Sequence, residues 1–153
     1  MRIRIEIDNQ TTEEEIVIKC RNMTEDISKI QQALAEVTDR KQIFIFYKKD
    51  VEYYLSLDEI LFFETDENGI SAHTAEDIYY VRYKLYELEK LLPRSFIRVS
   101  KSTILNTGHI HSMDHSLTSY SVVQFQGTHK QVYVSRRYYK ALKETIQLLH
   151  SYL

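Results

Sequence analysis

Three features of the 153-residue sequence predict an α+β protein dominated by antiparallel β-strands. Short runs rich in Ile, Val, Phe and Tyr recur at regular spacing between residues 43 and 134, several with the period-two alternation of a half-buried strand. Turn residues separate these runs, Asn68-Gly69 being the strongest hairpin signal. Only three stretches, starting near residues 24, 85 and 136, space their apolar residues as a helix does.

The elements follow in order. Ile3, Ile5 and Ile7 alternate with charged residues and predict a first strand, and Ile16-Val17-Ile18 a second. Thr24 can cap a helix whose first turn holds Glu25 and Asp26, favourable at the positive end of its dipole, and whose apolar face is Ile27, Ile30, Leu34 and Val37. Thr38-Asp39-Arg40-Lys41 breaks that pattern, which sets an expected boundary between a 1–41 segment and a 42–153 domain. Strands are then expected at 43–47, 51–55, 61–63, 70–74 and 78–82, with Asp66-Glu67-Asn68-Gly69 as a hairpin turn. Tyr53-Tyr54 and Tyr79-Tyr80 each place one ring inward and one outward. Leu85, Leu88 and Leu92 mark a short helix ended by Pro93. Strands follow at 96–99, 120–125 and 131–134, and Ser135 precedes a closing helix with Tyr138, Leu142, Ile146 and Leu149 inward.

Several function classes are disfavoured. Gly69, Gly108 and Gly127 stand too far apart for a phosphate-cradling loop. Cys20 is alone, so neither an internal disulfide nor a cysteine zinc site is expected. Met1 to Glu6 lacks the apolar core of a signal peptide, and no apolar run approaches the roughly 18 residues of a membrane span, so a cytoplasmic protein is expected. Ser95, Ser100, Ser102 and Ser135 lack the glycine-flanked elbow of a serine hydrolase. His109-Ile110-His111-Ser112-Met113-Asp114-His115 resembles the H-x-H-x-D-H zinc motif of metallo-β-lactamase-like hydrolases. Its spacing differs by one residue, and a polar loop with exposed histidines is the expected reading. No metal, cofactor or catalytic residue is expected.

The net charge of −2 conceals an asymmetry. Residues 1–40 carry six Lys/Arg against nine Asp/Glu, residues 41–93 six against eleven, and residues 94–153 eight against two. A basic third on an acidic body fits a surface aimed at a polyanion, although segregated solvated charge is the plain alternative. Two clusters concentrate it: residues 96–106, with Arg98, Lys101 and Ser102, and residues 132–140, with Arg136, Arg137 and Lys140. Lys, Arg, Ser and a helix start suit DNA phosphates, and Arg or Lys suits guanine edges. Each cluster alone also reads as a charged loop or a solvated helix start.

The order Asp58-x-Ile60-Leu61-Phe62-Phe63-Glu64, Leu85-x-x-Leu88-Glu89-x-x-Leu92, Phe96-x-Arg98-Val99-x-Lys101-Ser102-x-Ile104-Leu105-Asn106-x-x-x-Ile110 and Val134-Ser135-Arg136-x-Tyr138 resembles the LytTR DNA-binding domain over about residues 42–150. The resemblance implies a β-rich fold outside the helix-turn-helix class. It also implies a transcription regulator that inserts loops and strand ends into successive major grooves at imperfect direct repeats in promoter DNA. By position, Lys101 is implied to contact a base, Arg137 to read a base, Arg136 to touch phosphate or base, Ser102 to bind phosphate, and Asn68 to lie in a third contact region. Arg98 and Asn106 are implied to support the loop. Ser100 stands where many members have histidine, which removes that contact. Forty N-terminal residues are too few for the phosphoacceptor receiver domain that most characterised members carry. The resemblance to stand-alone members implies control by a small membrane-protein partner, and leaves the 1–41 segment to pack on the domain, dimerise or hold that partner.

The expected function is therefore a non-enzymatic, sequence-specific regulator of double-stranded promoter DNA, with a second copy of the chain on DNA as an expected partner and without a small-molecule substrate. A protein-interaction module without DNA contact and a metal-dependent hydrolase on His109, His111, Asp114 and His115 are the alternatives.

Overall fold

The computed structural model describes residues 2–12, 15–38, 43–114 and 120–150. Helix α1 spans Glu25–Thr38. The strands are β1 (Ile43–Lys48), β2 (Val51–Ser56), β3 (Phe62–Asp66), β4 (Gly69–His73) and β5 (Ile78–Val81). Helix α2 (Leu85–Leu91) leads to β6 (Phe96–Arg98), β7 (Thr103–Asn106), β8 (Ile110–Met113), β9 (Tyr120–Phe125) and β10 (Gln131–Ser135), and helix α3 (Arg136–His150) follows. Seven strands form one sheet in the order β2-β1-β5-β4-β3-β7-β6, and β10-β9-β8 form another, all pairs antiparallel.

Strand alternation explains both cores. Phe62 and Phe63 point to opposite faces of the large sheet, as do Ile104 and Leu105, and all four are buried. One face packs Phe44, Phe46, Phe63, Ala72, Val81 and Ile104 against Leu85 and Leu88 of α2. The other packs Phe62, Val99 and Leu105 against Val123, Phe125, Val132 and Val134 of the small sheet and Leu142 of α3. Thr103–Asn106, expected only as part of a basic loop, forms β7 with all four residues buried: Ile104 and Leu105 enter opposite cores, and the polar ends Thr103 and Asn106 carry no apolar pattern that would mark a strand. The tyrosine pairs divide as expected: Tyr53 and Tyr79 pack on the first core with ring centroids 5.0 Å apart, whereas Tyr54 is 65% exposed. The Asp66–Gly69 hairpin closes on Glu67 and Asn68, and Gly69 opens β4 at φ 126°, where a side chain would be strained.

Three expectations are corrected. The two N-terminal strands do not form: residues 2–8 and 15–20 pair with no strand, and Ile3, Ile5 and Ile7 are 84–96% exposed. Alternation reports which face a strand can bury, but a strand also needs a ladder partner, and no edge of either sheet supplies one here. The histidine-rich segment is not a loop throughout, since Ile110–Met113 pairs with β9 across a bulge and half-buries Ile110 and Met113 against the second core. In α3, Tyr139 rather than Tyr138 joins Leu142 and Ile146 on that core. The side chains of Val37 and Leu149, and His115, lie outside the described residues. Helix α1 forms as expected: Thr24 Oγ1 accepts the N–H of Ile27 at 3.3 Å, Ile27 is buried, and Glu36 ties the helix to Arg94.

Candidate nucleic-acid interface

Residues 99–102 form the turn between β6 and β7, closed where the Val99 N–H donates to the Thr103 carbonyl at 3.0 Å. Arg98 clamps the turn from inside. Its Nε donates to the Ser100 carbonyl at 2.8 Å, one terminal nitrogen donates to the Lys101 carbonyl, and the other pairs with Glu89 of α2. The Ser102 N–H donates to Ser100 Oγ at 3.2 Å. With the carbonyls of Ser100 and Lys101 drawn inward, the Lys101 side chain is left exposed on a fixed backbone. Below the turn, buried Asn106 donates from Nδ2 to the Ile60 carbonyl at 3.0 Å and accepts the Gly108 N–H at 3.1 Å. Arg98 and Asn106 thus hold the loop rather than face solvent.

Two backbone bonds join this turn to its neighbours. On one side the Ser135 N–H donates to the Val99 carbonyl at 2.9 Å, which sets the start of α3, with exposed Arg136 and Arg137, against the turn. On the other side the Thr65 N–H donates to the Ser102 carbonyl at 2.9 Å, and Glu64 is in register with Thr103. The β3–β4 hairpin with exposed Asn68 therefore lies at the same end of the molecule. All five residues singled out from the sequence, Asn68, Lys101, Ser102, Arg136 and Arg137, are on three turns that share one edge.

The electrostatics of this edge are graded. Among the described residues Lys101, Arg136 and Arg137 have no carboxylate partner, although Lys29, Lys48, Arg94 and Arg98 do. Unpaired cations beside the amino end of a 15-residue helix favour phosphate. The hairpin has the opposite character: Asp66 Oδ1 accepts the Asn68 N–H at 2.7 Å, Asp66 Oδ2 accepts the Tyr80 hydroxyl at 3.0 Å, and Glu64 and Glu67 are close in sequence. Burial, and then Asp66, push the Glu64 carboxyl above the ordinary carboxylate range. Phosphate is disfavoured there, so Asn68 suits a base edge better than the backbone.

The sequence did not single out Glu89 or Tyr138 as supports. Glu89 fixes Arg98, and the Arg137 guanidinium lies 5.9 Å over the Tyr138 ring. Glu89 stands inside the matched Leu88-Glu89 pattern, but nothing in that pattern indicates its partner. The histidine segment gathers no metal-ligand set among the described residues. His109 turns Nε2 to the Asp58 carbonyl, His111 is exposed, and Asp114 Oδ1 accepts the Val122 N–H at 2.8 Å.

Comparisons with known proteins give the family and the fold. The model of the LytTr DNA-binding domain matches residues 50–147. Proteins named as uncharacterized HTH-type transcriptional regulators in Staphylococcus aureus strains NCTC 8325 and COL are each 27% identical over 148 residues, covering 97% of this chain and 99% of theirs. The alignment therefore runs through most of the 1–41 segment. A solved LytTr DNA-binding domain from Bacillus cereus superposes with a TM-score of 0.64 at 23% identity, covering 70% of this chain and 98% of that one. Despite the relatives' name, no helix here directly follows another among the described residues, so the described part contains no helix-turn-helix. The chain belongs to the LytTr DNA-binding domain family.

Proposed function

We propose that this protein is a non-enzymatic transcription regulator that binds promoter DNA sequence-specifically through the edge built by its three turns. The turns enter successive major grooves at imperfect direct repeats. Lys101 and Arg137 contact base edges, Arg136 contacts phosphate or base, Ser102 contacts phosphate, and Asn68 supplies a third contact from the hairpin. The single observation that carries this reading is the pair of backbone bonds, Ser135 to Val99 and Thr65 to Ser102, which makes one edge of three turns distant in sequence. The unpaired cations on it supply the electrostatic part of affinity, and fixed backbone under Lys101 supplies the positioning that discrimination needs.

In the same reading residues 1–41 form a regulatory segment outside the DNA-binding domain of 42–153. It serves assembly of a homodimer on DNA or capture of a small membrane-protein regulator. The exposed isoleucines of residues 3–7 support an interaction role. The protein acts in the cytoplasm, where its DNA is.

Fluorescence anisotropy against the DNA upstream of the protein's own gene, with scrambled duplex as competitor at two salt concentrations, tests the proposal. Tight binding that scrambled duplex fails to displace, and that weakens with salt by a log–log slope of about −0.9 per phosphate contacted, is expected. Failure there, followed by failure of selection from a random duplex pool, overturns it.

A further inference from the structure

A cleft of about 300 Å³ opens between α2, β6 and the start of α3. Its body is apolar, with Leu92, Phe96, Ile104 and Ala141 among the walls, and its polar groups are Glu89, Arg98 and Tyr138. That volume is at the lower end of small-molecule sites, which join a mostly apolar lining to a few convergent polar groups.

The polar groups are those that hold the DNA-facing residues. Arg98 carries the carbonyls of Ser100 and Lys101, and Tyr138 lies under the Arg137 guanidinium. A molecule in the cleft therefore touches the supports of both predicted base-reading cations without touching DNA. Its chemistry follows from the donors. Of the five N–H groups of Arg98, three are occupied by Ser100, Lys101 and Glu89. The Tyr138 hydroxyl makes no hydrogen bond among the described residues. Glu89 is already answered by Arg98, and Lys101, Arg136 and Arg137 have no carboxylate partner among the described residues, so the local field favours an anion over a cation.

We propose that this cleft is a regulatory site for a small amphiphilic carboxylate, whose binding draws Arg98 and Tyr138 away from the DNA-facing turns and weakens DNA binding. The apolar body of the ligand fills the cleft, and its carboxylate accepts from the spare Arg98 donors and the Tyr138 hydroxyl. Sharing the guanidinium loosens the clamp on residues 99–102, and the added negative charge opposes phosphate. The coupling half of this inference rests on the DNA-binding reading; the binding half does not.

The test uses the full chain and three probes on one skeleton: 3-phenylpropanoate, 3-phenylpropanamide and 3-phenylpropylamine. Amide chemical shifts report binding, and duplex anisotropy with and without probe reports coupling, with acetate at equal ionic strength as the control. The acid is expected to shift Ile97, Arg98, Tyr138 and Ala141, to bind at least about tenfold more tightly than the amide or amine, and to weaken duplex binding by at least about fivefold where acetate does not. Ala141→Trp fills the cleft and is expected to remove both responses while the duplex affinity without probe stays within about twofold. Shifts absent or clustered elsewhere, or an amide or amine binding as well as the acid, overturn the site. Acid binding in the cleft with unchanged duplex affinity overturns the coupling. Loss of all duplex binding before any probe is added overturns the DNA-binding reading instead, and leaves the shifts to decide the site.

Discussion

The N–H of Ser135 donates to the carbonyl of Val99 across 36 residues of chain, at 2.9 Å. Ser135 is the last residue of β10 and Val99 the first after β6, so this one bond ties the small sheet to the large one beside the exposed cations. Buried Val99 and Val134 anchor it from below. Lys101 and Arg137 are consequently held by one frame rather than by two independent loops, which is the condition for reading bases at fixed separation.

Lys101→Ala and Arg137→Ala are each expected to cost about 1–3 kcal/mol of binding to the cognate duplex and to relax preference at one position of each half-site. Arg136→Ala, if its contact is phosphate, lowers affinity evenly across sequences and reduces the salt slope by about 1. Anisotropy against a panel of single-position duplex variants distinguishes these outcomes. Equal loss on cognate and scrambled DNA for both Lys101→Ala and Arg137→Ala contradicts the base-reading assignment.

Asn106→Ala removes two internal partners at once. The Ile60 carbonyl and the Gly108 N–H both lose a hydrogen bond at a site only 5% exposed. The buried Ile60 carbonyl left unpaired costs about 1–3 kcal/mol, and the cavity adds to it, whereas the N–H of exposed Gly108 can turn to water. An unfolding free energy lowered by at least about 2 kcal/mol, read as a lower urea midpoint at unchanged m-value, is expected. Because β7 carries the 99–102 turn, DNA affinity falls as well, without any loss of direct contact.

Much of the fold was legible in the sequence where local chemistry decides it. A two-residue hairpin closes on Glu67-Asn68 within the expected 66–69 turn, Thr24 caps α1, and the alternation in Tyr53-Tyr54 sends one ring to the core and the other outward. What depends on partners was not legible. Ile3, Ile5 and Ile7 have the pattern of a strand but no edge to pair with, and Thr103–Asn106 hid a strand buried on both faces inside a basic cluster. The candidate site divides the same way. Its five residues could be placed from the family pattern, but their common edge follows from the sheet order β3-β7-β6 and two backbone bonds. The clamp of Glu89 on Arg98 joins residues from different elements and leaves no local signature.

Acid is expected to destabilise the protein through His73. The ring stacks on Phe62 with centroids 4.2 Å apart; its Nε2 meets Ser71 Oγ at 3.2 Å, and its Nδ1 faces the Lys130 ammonium at 3.3 Å. Since Lys130 can only donate, Nδ1 accepts and the neutral ring carries its proton on Nε2. Burial, and then Lys130, lower its pKa from 6.5 to about 4. The folded state therefore binds fewer protons than the unfolded one between those values, so stability is full above pH 6.5 and is lost as pH falls toward 4. A loss of about 1–2 kcal/mol between pH 7 and 5 is expected after allowance for solvent screening. Glu64, whose carboxyl is raised, contributes with the opposite sign, so the measurement is the difference between wild type and His73→Gln in urea midpoint against pH. Parallel curves for the two proteins rule out His73 as the origin.

Residues 1–41 are expected to be separable from the folded domain. Every buried residue of the two cores lies at or beyond Phe44. What the described part of the segment contributes to packing includes buried Ile27, half-buried Ile30 and Leu34, and the Glu36–Arg94 pair, with Nε to Oε2 at 3.2 Å and a second bond from the Arg94 N–H at 2.8 Å. Burying one isoleucine is worth about 1.5–3 kcal/mol, and a partly exposed ion pair up to about 1 kcal/mol. With half-buried Ile30 and Leu34 counted at about half the isoleucine value, a chain starting at residue 42 is expected to fold with a stability loss of about 3–7 kcal/mol, and to keep its duplex affinity within about threefold, because none of the five interface residues lies in the segment. Urea unfolding and anisotropy on the truncated chain check both parts. If the segment serves assembly, sedimentation shows dimer in the full chain on DNA and monomer in the truncated one; an unfolded truncated chain makes residues 1–41 an integral part of the fold instead.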